Sequence, residues 1–231
     1  MKQSKLVFII GVLAVLCMLP SLTYGDPVTV QFTGPTGPSL GGEYTAFYGG
    51  TIDGAMASLI CDDINNNISY NESWVASRIR FSQITDNLAT KPLFLNTAGV
   101  LGYAKVGWLA EGMFNGTLNT QYANWAIWDT FAPGAAQSHL TGEDLQAVIG
   151  ESGLNDLATG WAAHHTYADP YLSNLWLLTP TGDGIMNGPG GSPQEMITST
   201  PEAPGLALLG LDLSGLLGLL AVIRRRIRRR E

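Results

Sequence analysis

Both ends of this 231-residue chain are apolar and basic, and everything between them is acidic. At the C-terminus, Pro201-Glu202-Ala203-Pro204 leads into a nearly uncharged run of 19 residues, Gly205 to Ile223. Arg224, Arg225, Arg226, Arg228, Arg229 and Arg230 follow it. At about 1.5 Å per residue such a run is long enough to cross a hydrocarbon core. A dense arginine cluster on one side resists translocation and holds that side in the cytoplasm. At the N-terminus, Lys2 and Lys5 precede an apolar stretch from Leu6 to Leu19, then Pro20 and a small-residue exit, Thr23-Tyr24-Gly25. This pattern reads as a secretory signal peptide cut after Gly25. Three parts result: a signal peptide over 1–25, an extracytoplasmic domain over 26–200, and a membrane segment over 201–231 with its helix at 205–223. The body is expected to fold outside the cytoplasm, tethered at its C-terminus for at least part of its life.

The tail resembles the PEP-CTERM sorting signal of Gram-negative bacteria, on Pro201-Glu202, the span from Gly205 to Ile223 and the arginines from Arg224 to Arg230. The resemblance implies two processing partners, signal peptidase at one end and an exosortase at the other. The exosortase, an integral-membrane cysteine protease, removes such a signal and passes its substrate to the cell surface or biofilm matrix. Two positions depart from the family pattern. Ala203 stands at the third motif position with Pro204 one place later, and Asp212 lies inside the span, where an acid is costly unless protonated or paired. The alternative reading is a permanent single-span anchor.

The body carries four bases, Arg78, Arg80, Lys91 and Lys105, against sixteen acids, a net charge of −12. Such a surface repels nucleic acid, and the absence of a basic stripe excludes nucleic-acid binding as a function class. Cys17 belongs to the signal peptide, which leaves Cys61 alone in the exported body. A lone thiol in an oxidising compartment is buried, paired between chains, or used.

Val28, Val30 and Phe32 alternate as in a strand, and turn residues from Gly34 to Pro38 and at Gly41-Gly42 follow. Further strands are expected over Tyr44–Tyr48, ending at Gly49-Gly50, over Met56–Ile60 and over Ser73–Phe81. The middle changes to helical spacing. Ala98–Phe114 places Leu101, Ala104, Trp108 and Gly112 on a stripe, and Thr120–Phe131 is apolar on most sides, which predicts deep burial. Thr141, with Asp144 three residues on, caps a third helix whose apolar face is Leu145, Val148 and Ile149. Leu154–His164 reads as a fourth. Strand character returns over Ser173–Leu178, then a glycine-rich stretch from Gly182 to Ser192 and a short element over Pro193–Ile197. Strands, helices, strands in that order predict an α+β domain, a β-sandwich-like framework with inserted helices.

Three segments stand out chemically: Leu59-Ile60-Cys61-Asp62 at a strand end, Tyr122-Ala123-Asn124-Trp125-Ala126-Ile127-Trp128 on a helix, and Pro193-Gln194-Glu195-Met196-Ile197 near the end of the domain. Together they resemble the motifs of bacterial thioester adhesion domains. The resemblance implies that Cys61 supplies the sulfur and Gln194 the acyl carbon of an internal thioester. Asp62 adjoins the cysteine, and Asn124, Trp125, Ala126, Ile127 and Trp128 form the packing helix. Asn124 stands where that family has glutamine. A thioester needs sulfur and carbonyl held within about 3–3.5 Å and shielded from water, and Trp108, Trp125 and Trp128 are the expected walls of a dry pocket. An amine on a surface or matrix polymer would then displace the thiolate, once per molecule. This is coupling rather than turnover, so the chain is expected not to be an enzyme and to need no cofactor. The alternatives are a non-covalent matrix protein in which Cys61 is buried and inert, and a membrane-anchored binding domain.

Other constellations are incomplete. His164, His165 and Asp169 supply too few convergent ligands for a metal. Asp62, Asp63, Asn65 and Asn67 carry oxygens suited to calcium without the spacing or distal glutamate of the known loop. No general acid, base and nucleophile set of a hydrolase can be assembled.

Overall fold

The structure is a computed structural model, and it describes residues 26–66, 68–88, 91–152, 170–187 and 193–199. The chain divides into two compact units, Met1–Thr198 and Ser199–Glu231, and the fold below is that of the first. The signal peptide, the sorting segment, the helix expected over Leu154–His164, and Asn67, His165 and Asp169 lie outside the described residues.

Strand β1 (Asp26–Pro35) buries Val28, Val30 and Phe32 on one face, as its alternation predicts. It pairs on one side with β4 (Tyr48–Ile52) and on the other with β6 (Ser73–Arg80). From β4 the antiparallel order continues through β5 (Ala55–Cys61), β8 (Met196–Ser199) and β7 (Leu175–Asn187) back to β6. Six strands thus close into a barrel. A two-residue hairpin, β2 (Ser39–Leu40) and β3 (Glu43–Tyr44), stands apart from it.

The mixed α+β class holds, with the helices inserted between β6 and β7, but the sandwich-like framework is corrected to a closed barrel. The reason lies in β1 and β8. Each has a partner on both sides, which leaves the ring of strands without an edge. Inside the barrel Val28, Val30, Phe32, Tyr48, Leu59, Cys61, Trp74, Ala76, Leu178 and Met196 form one buried cluster. The opposite parity of the same strands, Ile60, Ile79, Leu177 and Ile197, faces outward into a second cluster shared with the helices.

Those helices are α1 (Leu95–Phe114), α2 (Thr120–Phe131), α3 (Ala135–His139) and α4 (Gly142–Ser152). Helix α2 matches its expected bounds. Asn119 caps it, its side chain accepting from the amides of Gln121 and Tyr122 at 3.0 and 3.2 Å. Burial along α2 runs almost unbroken from Ala123 to Asp129, as its apolar composition requires. Helix α1 is kinked at Gly99, whose φ of 66° and ψ of 179° interrupt the helical path. Its expected stripe is wrong at one end: Leu101 is 49% exposed, and the buried face runs through Tyr103, Val106, Leu109, Ala110 and Met113. Among the described residues, no helix is long and apolar enough to cross a membrane.

Two strand boundaries also differ from expectation. Tyr44–Tyr48 is not one strand, because Ala46 takes a left-handed φ of 76° and breaks it into the hairpin and β4. The pair Gly49-Gly50 does not end a strand but runs inside one. A Cβ on Gly50 would sit 2.5 Å from Leu59 Cδ1 and 2.6 Å from Gln31 O, so this glycine serves close strand packing. Strand β7 begins at Leu175, after a turn of 3₁₀ helix over Pro170–Ser173, and continues to Asn187.

Lys105 is buried in α1, and its Nζ has no hydrogen-bond partner. Burial lowers its pKa to about 7, against the opposing pull of Asp129. A lysine whose folded value is depressed penalises the folded state fully below that value, and the penalty eases as pH rises toward the ordinary lysine range. Lys105→Met is therefore expected to raise the melting temperature by several degrees at about pH 6, with a smaller gain at about pH 9, as read by thermal denaturation. An equal gain at both would show that the amine is not desolvated.

Candidate functional site

The pairing of β5 with β8 places Cys61 opposite Met196, and Asp62 N donates to Glu195 O at 3.4 Å. Two motif segments far apart in sequence thereby lie side by side. Strand alternation then sorts their side chains. Cys61, like Leu59, belongs to the barrel side, and Asp62, like Ile60, to the helix side. Across from them Gln194 lines the same cavity as Cys61, whereas Glu195 bonds to Tyr103 of the helical layer.

On the barrel side both groups converge on one acceptor. The Cys61 Sγ donates to Asp63 O at 3.3 Å, and the Gln194 Nε2 donates to the same oxygen at 3.0 Å. Sulfur and amide nitrogen therefore cannot lie further apart than those two distances laid end to end. Gln194 Nε2 also donates to Asn66 O. The Asp63 carboxylate closes its own turn, accepting from the Asn65 amide at 3.0 Å and from Asn66 Nδ2 at 2.5 Å. Asp62, by strand alternation, turns toward the helices and away from this turn.

Cys61 and Gln194 line a cavity of about 410 Å³ at one end of the barrel. Its walls include Phe32, Tyr48, Ile68 and Trp128, and its charged lining is Glu43 and Asp63. Tyr44 and Tyr70, 59% and 66% exposed, stand at its rim from two separate segments. Gly34 makes room for Tyr70, since a Cβ there would fall 2.0 Å from the tyrosine hydroxyl. The opposite end of the barrel carries Trp176, with the guanidinium carbons of Arg78 and Arg80 4.9 and 4.7 Å from its ring centre.

Helix α2 braces the cysteine from behind. The carbonyl of Cys61 accepts from Asn124 Nδ2 at 2.9 Å and from Trp128 Nε1 at 3.0 Å, two residues one turn apart on the helix. Asn124 Oδ1 accepts in turn from the Ala46 amide at 3.0 Å, which ties the end of the β2–β3 hairpin to the same point. Trp125 Nε1 donates to Leu40 O at 3.3 Å and Gln121 Nε2 to Ser39 O at 3.2 Å, so one face of α2 seats the hairpin. Trp125 and Trp128 meet edge to face with centres 4.9 Å apart. Ala126 and Ile127 are fully buried on the other side, in the helical core. Of the three tryptophans expected around the cavity only Trp128 lines it. Trp125 lies under the hairpin, and Trp108 of α1 is half-buried against the helical cluster.

Burial pushes the Cys61 thiol well above its usual range, and the Asp62 carboxyl beside it adds to the rise. Hydrogen bonding from the Asp63 backbone and Trp128 works the other way without prevailing. Cys61 is 1% exposed. Burial likewise raises the Tyr48 hydroxyl, with the nearby thiol and Glu43 contributing.

On the helix side Glu195 accepts from Tyr103 Oη at 2.5 Å, Thr179 Oγ1 at 2.5 Å and the Leu93 amide at 3.1 Å. Asp62 is fully buried next to it, and as an anion it has no hydrogen-bond donor at either oxygen. Burial holds the Asp62 carboxyl well above the usual carboxylate range, and the neighbouring Glu195 and Asp63 carboxyls add to the rise. Sequence reading passed over Glu195, Tyr103, Thr179 and Tyr48. Alternation around Cys61-Asp62 and Gln194-Glu195 would have paired the two acids only once β5 and β8 were known to be neighbours.

No family model, no curated protein and no solved structure matches this chain.

Asn124→Ala removes one donor from Cys61 O and the only acceptor described for Ala46 N, both buried. Loss of stability of about 2–4 kcal/mol is expected from urea unfolding, since buried polar partners are left unsatisfied. A loss under about 0.5 kcal/mol would show that Trp128 alone holds the strand end.

Proposed function

We propose that this is an exported adhesive or matrix protein whose domain carries an internal thioester between Cys61 and Gln194. The observation that carries the reading is the shared acceptor: thiol and carboxamide both point at Asp63 O, inside a cavity at the barrel mouth. Formation replaces the Gln194 C–N bond with a C–S bond to Cys61, and the thiol proton leaves on the departing ammonia. A primary amine on a surface or matrix polymer then forms a C–N bond to the same carbonyl, the C–S bond breaks, and the amine's proton passes to the sulfur. The protein contributes position and exclusion of water rather than turnover. The aromatic walls and the buried thiol support the exclusion of water.

The termini complete the proposal. Signal peptidase cuts after Gly25, an exosortase acts at the segment marked by Pro201-Glu202 and the arginines up to Arg230, and the product is delivered to the outer surface or biofilm matrix. A membrane-tethered form is the intermediate.

A non-covalent reading also has its own observation. The high thiol pKa and the existing bonds to Asp63 O satisfy Cys61 and Gln194 as ordinary buried residues. Intact mass separates the two. Chain recovered from an exporting host is expected to be lighter by one ammonia, to lose that difference in Cys61→Ala and Gln194→Ala, and to add methylamine in the wild type only. An unshifted mass with a thiol that titrates freely in denaturant would retire the covalent reading. For the tail, deletion of residues 224–231 is expected to leave unprocessed, membrane-held chain on immunoblots. Unchanged processing and location would sink the sorting proposal.

A further inference from the structure

Behind the Cys61–Gln194 pair lies a second pair that the thioester chemistry does not use. Asp62 and Glu195 follow Cys61 and Gln194 in sequence, so alternation sends them together to the opposite side of the same two strand ends. Both are fully buried. Their surroundings are unequal. Glu195 receives Tyr103 Oη from α1, Thr179 Oγ1 from β7 and the Leu93 amide from the segment before α1. Asp62 receives no donor at either oxygen.

We propose that Asp62 and Glu195 share a single proton, carried by Asp62, and that this hydrogen-bonded acid pair is the positioning device that holds Cys61 against Gln194. The role in positioning rests on the thioester reading above; the shared proton does not. Two fully buried carboxylates on paired strand ends, joined at Asp62 N and Glu195 O, resist being ionised together, and the one with three donors keeps the charge. Burial comes first among the causes that hold Asp62 neutral, with the neighbouring Glu195 and Asp63 carboxyls adding to it. Burial raises Glu195 as well, and its hydrogen bonds from Thr179, Tyr103, Leu93 and Asp62 oppose that rise. The remaining titratable neighbours are Tyr103, itself raised chiefly by burial, and the Cys61 thiol on the far side of the strand. Loss of the proton would set two buried negative charges against each other across the joint between β5 and β8. The strand ends carrying Cys61 and Gln194 would part.

The sign of the pH dependence follows. A carboxyl whose folded pKa is raised contributes most below its ordinary value, and the contribution fades as pH climbs from the ordinary carboxylate range through the folded value. Crosslink formation should therefore decline toward alkaline pH, even though a thiol alone reacts faster there.

The experiment uses the full chain in detergent, with infrared difference spectroscopy and intact mass read on the same samples. A neutral carboxylic-acid band that Asp62→Asn lacks is expected near pH 7 in the wild type and in Cys61→Ala. The ammonia-loss fraction is expected to fall several-fold from about pH 6 to about pH 9 in the wild type. In Asp62→Asn it should stay level or rise, because an amide donates to Glu195 at every pH. If Asp62→Asn does not fold by circular dichroism, Glu195→Gln takes its place, since its amide oxygen keeps the acceptor shared by Thr179 and Leu93 and the second charge is removed. Absence of the acid band in the wild type overturns the shared proton. Parallel pH profiles in wild type and variant overturn the positioning role. A band present with no ammonia loss at any pH sinks the thioester reading, and the positioning role with it, while leaving the shared proton as a property of the fold.

Discussion

The joint between the end of β5 and the start of β8 is the interaction on which the rest of this molecule depends. It closes the ring of strands, and it brings together two short segments that each carry a polar pair. Its geometry divides the work by strand parity. One member of each pair turns into the barrel mouth and the other into the layer beneath the helices. A shift of one residue in this register would exchange the two sets, placing acids in the cavity and the thiol against Tyr103. Register is thus the quantity the fold protects most heavily here, from both faces at once.

Helix α2 shows how protection from the other side is achieved. Its aromatic residues are rigid and large, and each spends its polar atom on a backbone carbonyl: Trp128 on Cys61, Trp125 on Leu40. Asn124 spans a gap between two backbones, one at the strand end and one at the left-handed Ala46. A longer glutamine at this fully buried position would need room that the packing leaves only if the hairpin moved outward. The hairpin sits close to the helix, so that a Cβ at Gly41 would fall 2.6 Å from Leu140 Cδ2 and 3.1 Å from Trp125 Cζ2.

Much of this was legible in the residues themselves. Alternation located β1, β5 and β6, and an unbroken apolar helix announced the burial of α2, because those signals are local. The hairpin was not legible. Its strands are two residues long, and the amide at the break, Ala46, donates to Asn124, a contact 78 positions away. Closure of the barrel was equally hidden, since strand order depends on pairings that no periodicity encodes. Cys61 and Gln194 stood out by type and neighbourhood, and the structure sets both on the lining of one cavity. The juxtaposition of Asp62 with Glu195 was not legible, because it exists only once the strands that carry them are set side by side.

The closing strand lies far along the chain from β5, its partner, and that has a kinetic consequence. Contacts such as Cys61 with Met196 give the domain a high contact order, and the loop entropy for closure must be met before those contacts return anything. Until β8 arrives, β5 is an open edge with a thiol at its tip, able to zip onto another chain or be oxidised. Assembly of this protein therefore leaves that edge open until Met196–Ser199 pairs with it.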